Sequence, residues 1–132
     1  MSDSSNVAVV RKFYENLSAP EVLMQVLSPT IRWEIVSGFP YGGEYLGVQA
    51  VFQDFFGRVL QDFDEWRTVA NEVHDAGDHV VALGTYSGRA KTTGKTFIAN
   101  FTHFWTLEDG VMVRLQQCAD SVQLARAQGL AE

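Results

Sequence analysis

The segment FIANFTHFWTLEDGVMV, residues 97–113, decides the fold of this chain. Read with the two-residue period of a β-strand, it places on one face Phe97, Ala99, Phe101, His103, Trp105 and Leu107. The opposite face carries Ile98, Asn100, Thr102, Phe104 and Thr106. Because Asp109-Gly110 is a favoured two-residue hairpin turn, the segment predicts a long strand with one buried face, followed by an antiparallel partner.

His103 is the one ionisable side chain on the apolar face of this strand. A buried polar group needs a hydrogen-bond partner, so we expect His103 either to be tied to the structure or to face a cavity. If residues 109 and 110 form a type I′ turn, His103 lies opposite Gln116 and Ala99 opposite Asp120, which brings His103, Gln116 and Asp120 to one side. A three-residue turn with a bulge at Gly110 would turn Asp120 to the other face.

Three helices are predicted before the main strands. Apolar side chains recur at helical spacing between residues 7 and 17, behind the candidate caps Ser4, Ser5 and Asn6. Pro20 suits the first turn of a second, short helix that stops before Pro29. The clearest helical stripe lies between residues 48 and 60 and predicts the third helix.

The strand pattern completes an α+β fold in one domain, residues 1–132. Residues 30–36 alternate as a first strand, and the glycine-rich loop SGFPYGGEYLG that follows is expected to be irregular. Four further strands are predicted at 66–75, 80–89, 95–107 and 111–119, with a helical turn near the end of the chain. We expect an antiparallel sheet with the helices on one face and a pocket between the two layers.

Composition excludes several classes of partner. The chain has 132 residues and a net charge of -6, and its ten Lys and Arg are scattered, so nucleic-acid binding is not expected. No segment is typical of a signal peptide or a membrane span, and the single Cys118 fits a reducing compartment, so we expect a cytoplasmic protein. The sequence contains no phosphate-binding loop, so we expect no nucleotide cofactor. His74 and His79 flank a turn that a surface hairpin explains better than a metal site, so we expect no metal.

The order of these elements resembles that of the nuclear transport factor 2-like superfamily. The segments that carry the resemblance are GGEYLGVQAVFQDFF, GDHVVALGTYSG and THFWTLEDGVMVRLQQCAD. Within the superfamily the similarity is to SnoaL-like and ketosteroid isomerase-like proteins, and it covers nearly the whole chain. It implies a cone-shaped domain in which a curved, mainly antiparallel sheet and N-terminal helices enclose an apolar pocket. It also implies a homodimer through the outer face of the sheet.

The resemblance also implies site residues. Glu34 matches the acidic base of the isomerases, His103 matches their oxyanion-hole acid, Tyr14 matches a tyrosine of the first helix, and Asp120 matches the catalytic aspartate of the cyclases. Each has a structural alternative: His103 as a satisfied core group, Asp120 as a helix cap, Glu34 facing solvent, and Tyr14 in the core. The expected pocket-lining residues are Trp33, Phe55, Phe101, Trp105 and Gln116.

Three functions are compatible with this set. The first is cofactor-independent acid-base chemistry, of the isomerase, cyclase or dehydratase type, on a small hydrophobic molecule with a carbonyl or hydroxyl. The second is a non-catalytic module that binds a small ligand or dimerises. The third is epoxide hydrolysis, for which Asn100 and Arg114 are available beside Asp120. A homodimer is expected independently, because the outer face with Ile98 and Phe104 carries no charge.

Overall fold

The computed structural model describes residues 2–131, with side chains from residue 5. In chain order its elements are α1 (Ser2–Glu15), α2 (Pro20–Val26), β1 (Leu27–Ile35), β2 (Gly43–Leu46), α3 (the consecutive segments Val48–Ala50, Val51–Phe56 and Gly57–Asp62), β3 (Phe63–Ala76), β4 (His79–Ala90), β5 (Thr96–Glu108), β6 (Val111–Ala119) and α4 (Ser121–Ala127). The predicted α+β class is confirmed. None of the helices in this described part is long and apolar enough to cross a membrane.

The strands form one six-stranded sheet in the order β2-β1-β6-β5-β4-β3. Strands β3 to β6 follow one another as an antiparallel meander, as predicted. Strand β1 lies parallel to β6 and antiparallel to β2, so the sheet is mainly antiparallel. Strand β2 was missed because it lies in the glycine-rich loop, where its four residues are mostly exposed and lack a buried face.

Strand β5 has the two faces that its sequence predicts. All six residues of the apolar set, including His103, are buried, whereas Ile98, Asn100 and Thr102 are exposed. The buried side of the sheet packs against the helices. In α3, Val51, Phe55 and Val59 recur every four residues and are all buried, so one stripe of that helix covers the sheet.

The register of the last hairpin differs from both expectations. Asp109 and Gly110 do form a two-residue turn with positive φ, and Glu108 pairs with Val111. Between Leu107–Met112 and Thr106–Arg114, however, β6 contains one additional residue, Val113. This bulge moves the later pairing by one position and reverses which side chains face inward.

The bulge places Gln117, and not Gln116, opposite His103. Gln117 is buried, whereas Gln116 is turned to the other face and Asp120 is exposed. The prediction that His103, Gln116 and Asp120 share one side is therefore wrong. A β-branched apolar residue such as Val113 suits a regular strand, so the sequence contains no local signal for the bulge.

The helices differ in two details from their predicted form. Helix α1 begins at Ser2, so Ser5 and Asn6 lie within it and do not cap it. The middle segment of α3, Val51–Phe56, has π-helical hydrogen bonding. A π-helical turn inside an α-helix is often found at functional sites, and this one carries Phe52, Phe55 and Phe56 toward the sheet.

Candidate functional site

A cavity of about 490 Å³ lies between the helices and the inner face of the sheet. Its helical side comes from α1, α2, α3 and the residues that join the first two: Phe13, Leu17, Ser18, Pro20, Leu23, Phe52, Phe55, Phe56, Val59 and Leu60. Its other side comes from the strands and the loop after β1: Trp33, Ile35, Phe39, Trp66, Thr68, Tyr86, His103 and Leu115. The volume is within the range of small-molecule sites.

The described wall of this cavity is apolar and uncharged. It includes no Asp, Glu, Lys or Arg among the residues that the structure describes. Its polar groups are the hydroxyls of Ser18 and Thr68, the indole N–H groups of Trp33 and Trp66, and the pair Tyr86 and His103. Thr68 accepts a hydrogen bond from Nε1 of Trp66 at 3.0 Å. Among the described residues, Nε1 of Trp33 is buried without a hydrogen-bond partner, whereas Tyr86 and His103 are hydrogen-bonded to one another.

His103 is held between two phenol groups. Its Nε2 lies 2.6 Å from the Tyr86 hydroxyl, and its Nδ1 lies 2.6 Å from the Tyr14 hydroxyl. The imidazole also stacks on the ring of Phe101, with centroids 3.9 Å apart. Both ring nitrogens are therefore satisfied, and the ring is fixed by three neighbours from α1, β4 and β5.

Two donors close this hydrogen-bond chain at its ends. The indole Nε1 of Trp105 donates to the Tyr14 hydroxyl at 2.9 Å. At the other end, the backbone N–H of Val36 donates to Oε1 of Gln117 at 3.3 Å, and Nε2 of Gln117 donates to the Tyr86 hydroxyl at 3.1 Å. The resulting order along this hydrogen-bond chain is Gln117, Tyr86, His103, Tyr14 and Trp105.

Burial keeps the ionisable groups of this hydrogen-bond chain, His103, Tyr86 and Tyr14, in their neutral forms. Loss of hydration lowers the pKa of the His103 imidazole from 6.5 to about 3. The same loss raises the pKa of the Tyr86 phenol and raises the pKa of the Tyr14 phenol well above its ordinary value. At neutral pH the site therefore offers hydrogen bonds from neutral groups and holds no charge of its own.

The structure brings some of the predicted residues together. His103, Trp33 and Phe55 lie on the cavity wall. Directly behind the wall lie Tyr14, Phe101 and Trp105. Trp105 donates a hydrogen bond to Tyr14. Tyr14 and Phe101 both contact His103. Tyr14 is thus neither a core residue without a polar role nor a member of the described wall.

Glu34 lies on the opposite face of the sheet. Its carboxylate binds Arg114 on β6, with Nε at 2.7 Å and Nη2 at 3.1 Å, and lies 3.4 Å from Nε of Arg32. The neighbours Trp33 and Ile35 face the cavity, so alternation along β1 directs Glu34 away from it. Glu34 and His103 are therefore separated by the sheet.

Asp120 and the residues considered for epoxide hydrolysis also lie outside the cavity. Asp120 is exposed, directly precedes α4 and accepts a hydrogen bond from Nε2 of Gln123 at 3.3 Å. Its backbone N–H donates to the carbonyl of Asn100, whose side chain is on the outer face. Because Arg114 is bound to Glu34, the structure does not assemble an Asp, Asn and Arg set.

Two residues of the site were not predicted from the sequence. Tyr86 was not among the predicted site residues, although the alternation of Val80, Ala82 and Tyr86 on β4 indicates that it faces the core. Gln117 was missed because its inward position depends on the bulge at Val113. In the described residues no group of three or more His, Cys, Asp or Glu side chains could hold a metal ion.

The family-specific sequence pattern of a SnoaL-like domain matches residues 10–115. The chain belongs to the SnoaL-like domain family. This match covers the cavity and the greater part of its hydrogen-bond chain, from Phe13 on α1 to Leu115 on β6. No curated protein matches the chain by sequence.

Solved structures place this family member in the nuclear transport factor 2-like fold. A nuclear transport factor 2-like protein from Burkholderia thailandensis is 30% identical, with a TM-score of 0.88 over 92% of this chain and 95% of that one. TerC, co-crystallized with polyporic acid, is 25% identical, with a TM-score of 0.83 over 95% and 98%. A protein with a ketosteroid isomerase-like fold from Catenulispora acidiphila shares the fold at 14% identity and a TM-score of 0.78, over 92% of each chain. The predicted superfamily and its curved-sheet fold are confirmed.

Proposed function

We propose that this protein binds a compact, uncharged, largely apolar molecule and holds its carbonyl or hydroxyl group at Tyr86. The observation that carries the proposal is the cavity wall, whose buried part is apolar except at Tyr86, His103 and the indole N–H of Trp33. A charged ligand would lose its hydration without gaining a counter-charge, so the wall disfavours ions. An aromatic ligand is favoured because Trp33, Phe39 and Phe55 present ring surfaces to the cavity.

A structural relative supports the binding of an organic molecule by this fold. TerC, which shares a quarter of its residues with this chain, was crystallized with polyporic acid. The two structures match over 95% of this chain and 98% of TerC. The proposal takes from this relative that the fold accommodates an organic ligand, and takes the neutrality of the ligand from the cavity described above.

The experiment compares three bicyclic probes of nearly the same shape. Indane is a hydrocarbon, 1-indanone adds one carbonyl oxygen, and 1-indanecarboxylate adds a negative charge. We expect 1-indanone to bind more tightly than indane by about tenfold, the value of one hydrogen bond, and the carboxylate to bind least. Calorimetric titration of the purified chain gives all three affinities.

Matched tyrosine variants locate the binding group. Tyr86→Phe should remove the advantage of 1-indanone while leaving indane affinity unchanged. Tyr45→Phe removes a phenol hydroxyl that bonds to the Tyr41 carbonyl outside the cavity wall, and should leave both affinities unchanged. Equal affinity of the wild type for indane and 1-indanone, or preference for the carboxylate, would contradict the proposal.

A second candidate function, catalysis of enolisation, is favoured by the position of the Tyr86 hydroxyl. A donor fixed at a carbonyl oxygen stabilises the negative charge that develops there when the neighbouring carbon loses a proton. Tyr86 is fixed by Gln117 and His103, as such a donor must be. The described wall contains no carboxylate to take the proton, and the neutral His103, with its lowered pKa, is a weak base, so water is the acceptor in this scheme.

Hydrogen exchange separates binding from catalysis. The rate at which 1-indanone exchanges its C2 hydrogens in deuterated buffer is followed by NMR with and without the protein. An enzyme accelerates this exchange above buffer, and Tyr86→Phe then loses the acceleration while Tyr45→Phe retains it. Tight binding of 1-indanone without faster exchange would leave the chain a binding module and exclude the catalytic role for this ketone.

We also propose that two copies of the chain associate through the outer face of the sheet. Strand β5 presents Ile98, Asn100, Thr102 and Phe104 on this face, and Ile98 is 70% exposed. This row on β5 combines apolar and neutral polar groups without a charge, unlike the outer face of β1, which carries Arg32 and Glu34. A second copy would cover the exposed apolar area.

A further inference from the structure

The hydrogen-bond chain through His103 contains one proton more than its internal links can use. A fixed donor stands at each end. At the first end, the Val36 N–H can only donate, so it faces Oε1 of Gln117. The amide nitrogen of Gln117 must then face Tyr86 and donate to it. The indole of Trp105 likewise can only donate to Tyr14. Between these ends, Tyr86, neutral His103 and Tyr14 carry three protons, and two hydrogen bonds connect them.

We infer that Tyr14 sets the tautomer of His103 and thereby makes the cavity selective for hydrogen-bond acceptors. The inference rests on the proposed ligand site at Tyr86 and names the class of ligand which that site takes. Tyr14 acts as a positioning residue, since it is not part of the described cavity wall and reaches the ligand group through His103.

The excess proton has two possible locations, one for each tautomer of His103. In the Nδ1–H tautomer, His103 donates to Tyr14 and Tyr86 donates to His103, so the unused proton is on Tyr14. In the Nε2–H tautomer, Tyr14 donates to His103 and His103 donates to Tyr86, so the unused proton is on Tyr86. The tautomer therefore decides whether the Tyr86 hydroxyl donates its proton to a ligand or to Nε2 of His103.

The surroundings of the two phenols favour the second arrangement. Among the described side chains the Tyr14 hydroxyl contacts Trp105, which can only donate, and His103, so in the first arrangement its proton has no acceptor there. Tyr86 lies on the cavity wall, where its proton can reach a ligand or water. Because an unmatched buried donor is costly, Tyr14 donates to Nδ1 and His103 keeps its proton on Nε2.

This arrangement distinguishes between neutral ligands of the same shape. The Tyr86 oxygen already accepts from Gln117 and from His103, and its proton faces the cavity. A ketone or quinone oxygen completes this network, whereas an N–H donor finds its two acceptor positions occupied. The cavity should therefore take an acceptor such as 1-indanone in preference to indole, a bicyclic donor of similar size.

The tautomer is measured first, on the ligand-free wild-type chain labelled with nitrogen-15 in its histidines. The two ring nitrogens of His103 are distinguished by their couplings to the ring protons, and protonated and unprotonated nitrogens differ widely in chemical shift. We expect the proton on Nε2. A proton on Nδ1 overturns the inference whether or not any ligand binds, so this result is independent of the proposed function.

The variant Tyr14→Phe then tests the role of Tyr14. Without the phenol, no donor holds Nδ1 unprotonated, so the Nδ1–H tautomer becomes populated and the ratio of 1-indanone to indole affinity falls by about threefold or more. Tyr45→Phe, which removes a hydroxyl elsewhere, should change neither the tautomer nor the ratio.

The outcomes separate the two proposals. If 1-indanone binds the wild type no better than indane, the proposed function fails, and the nitrogen-15 spectrum still decides the tautomer. If 1-indanone binds well but Tyr14→Phe retains both the wild-type tautomer and the wild-type ratio, Tyr14 is not the positioning residue. If Tyr14→Phe does not fold, the wild-type tautomer and the wild-type preference for 1-indanone over indole remain as the deciding measurements.

Discussion

The hydroxyl of Tyr14 lies 2.6 Å from Nδ1 of His103 and joins the first helix to the central strand β5. Tyr86 occupies the other ring nitrogen at the same distance, and the ring itself is buried. Protonating this imidazole would place a charge among aromatic side chains and would remove the one ring nitrogen that accepts a hydrogen bond in the neutral form. The position of His103 therefore couples its neutral form to the packing of α1 on the sheet.

The first prediction concerns stability at acidic pH. Folding lowers the pKa of His103 from 6.5 to about 3, so above pH 6.5 the ring is neutral in both states and its contribution is complete. Below pH 6.5 His103 binds a proton in the unfolded chain but not in the folded chain, so the free energy of unfolding falls until about pH 3. The slope from this one group is about 1 kcal/mol per pH unit. Urea unfolding between pH 7.5 and 5.0 measures it.

A histidine variant isolates this contribution. His103→Gln retains a neutral polar side chain and lacks the titration, so its free energy of unfolding should lose this part of the dependence on pH. In the wild type, the Hε1 resonance of His103 should not move between pH 8 and pH 5. A resonance that titrates near pH 6.5 would show that the imidazole is charged in the folded state, contrary to this prediction.

The second prediction concerns Gly84 on β4, where a bulge in β3 brings the two backbones close together. A Cβ at this position would lie 1.9 Å from the carbonyl oxygen of Val69 and 2.6 Å from Cζ of Phe101. The carbonyl belongs to the sheet and cannot rotate away. Gly84→Ala should therefore lower the free energy of unfolding by about 1–3 kcal/mol or more, measured by urea denaturation.

Gly57 provides the matched glycine control. It lies in α3 with helical dihedral angles, and a Cβ there would meet the Phe52 carbonyl oxygen at 3.5 Å, an ordinary contact. Gly57→Ala should leave the free energy of unfolding unchanged or raise it by up to about 1 kcal/mol, because alanine favours helices. If both variants were equally stable, the close approach at Gly84 would not constrain the fold.

The fold follows from the sequence because its strongest patterns are local and repeated. The alternation along residues 97–107 and the helical stripe from Val48 to Leu60 each include several apolar residues, so one irregular position does not hide the period. The start of α1 was less certain, since Ser5 and Asn6 are good capping residues that here lie inside the helix. A helix end depends on one or two residues and is easily displaced.

The site was less predictable because it depends on long-range register. A single bulge at Val113 places Gln117, and not Gln116, opposite His103. No residue type in this segment predicts the bulge. The partnership of Tyr14 with His103 joins residues 89 positions apart and depends on how α1 packs on the sheet. Sequence periodicity identifies the face of each element, but it does not identify which side chains of two faces meet.

The third prediction concerns Glu34, which matches a catalytic position by family resemblance. Its carboxylate is bound by Arg114 on the face of the sheet opposite the cavity. Glu34→Gln should therefore change the affinity for 1-indanone by less than about twofold, as surface substitutions usually do, and should not change any enolisation rate. Titration calorimetry and deuterium exchange provide both values. A large loss of exchange activity with normal folding would assign Glu34 a role that this geometry does not support.

The fourth prediction concerns the association of two chains through the outer sheet face. Ile98 is 70% exposed at the end of the uncharged row on β5 and would be covered in the proposed dimer. Ile98→Glu places a charge in that contact, and the loss of hydration should favour the monomer. Sedimentation equilibrium at micromolar concentration should therefore give a dimer for the wild type and a monomer for Ile98→Glu.

Leu46→Glu is the control for this test, since Leu46 is an aliphatic residue of similar exposure, 66%, on the edge strand β2. It introduces the same charge away from the row on β5, so it should leave the dimer intact. Leu46 pairs with Arg32 and therefore also lies on the outer face of the sheet. If both glutamate variants dissociate the dimer, the association is not specific to the row on β5. A monomeric wild type would instead mean that Ile98 remains in contact with solvent, and the free energy of unfolding of Ile98→Glu would then differ little from that of the wild type.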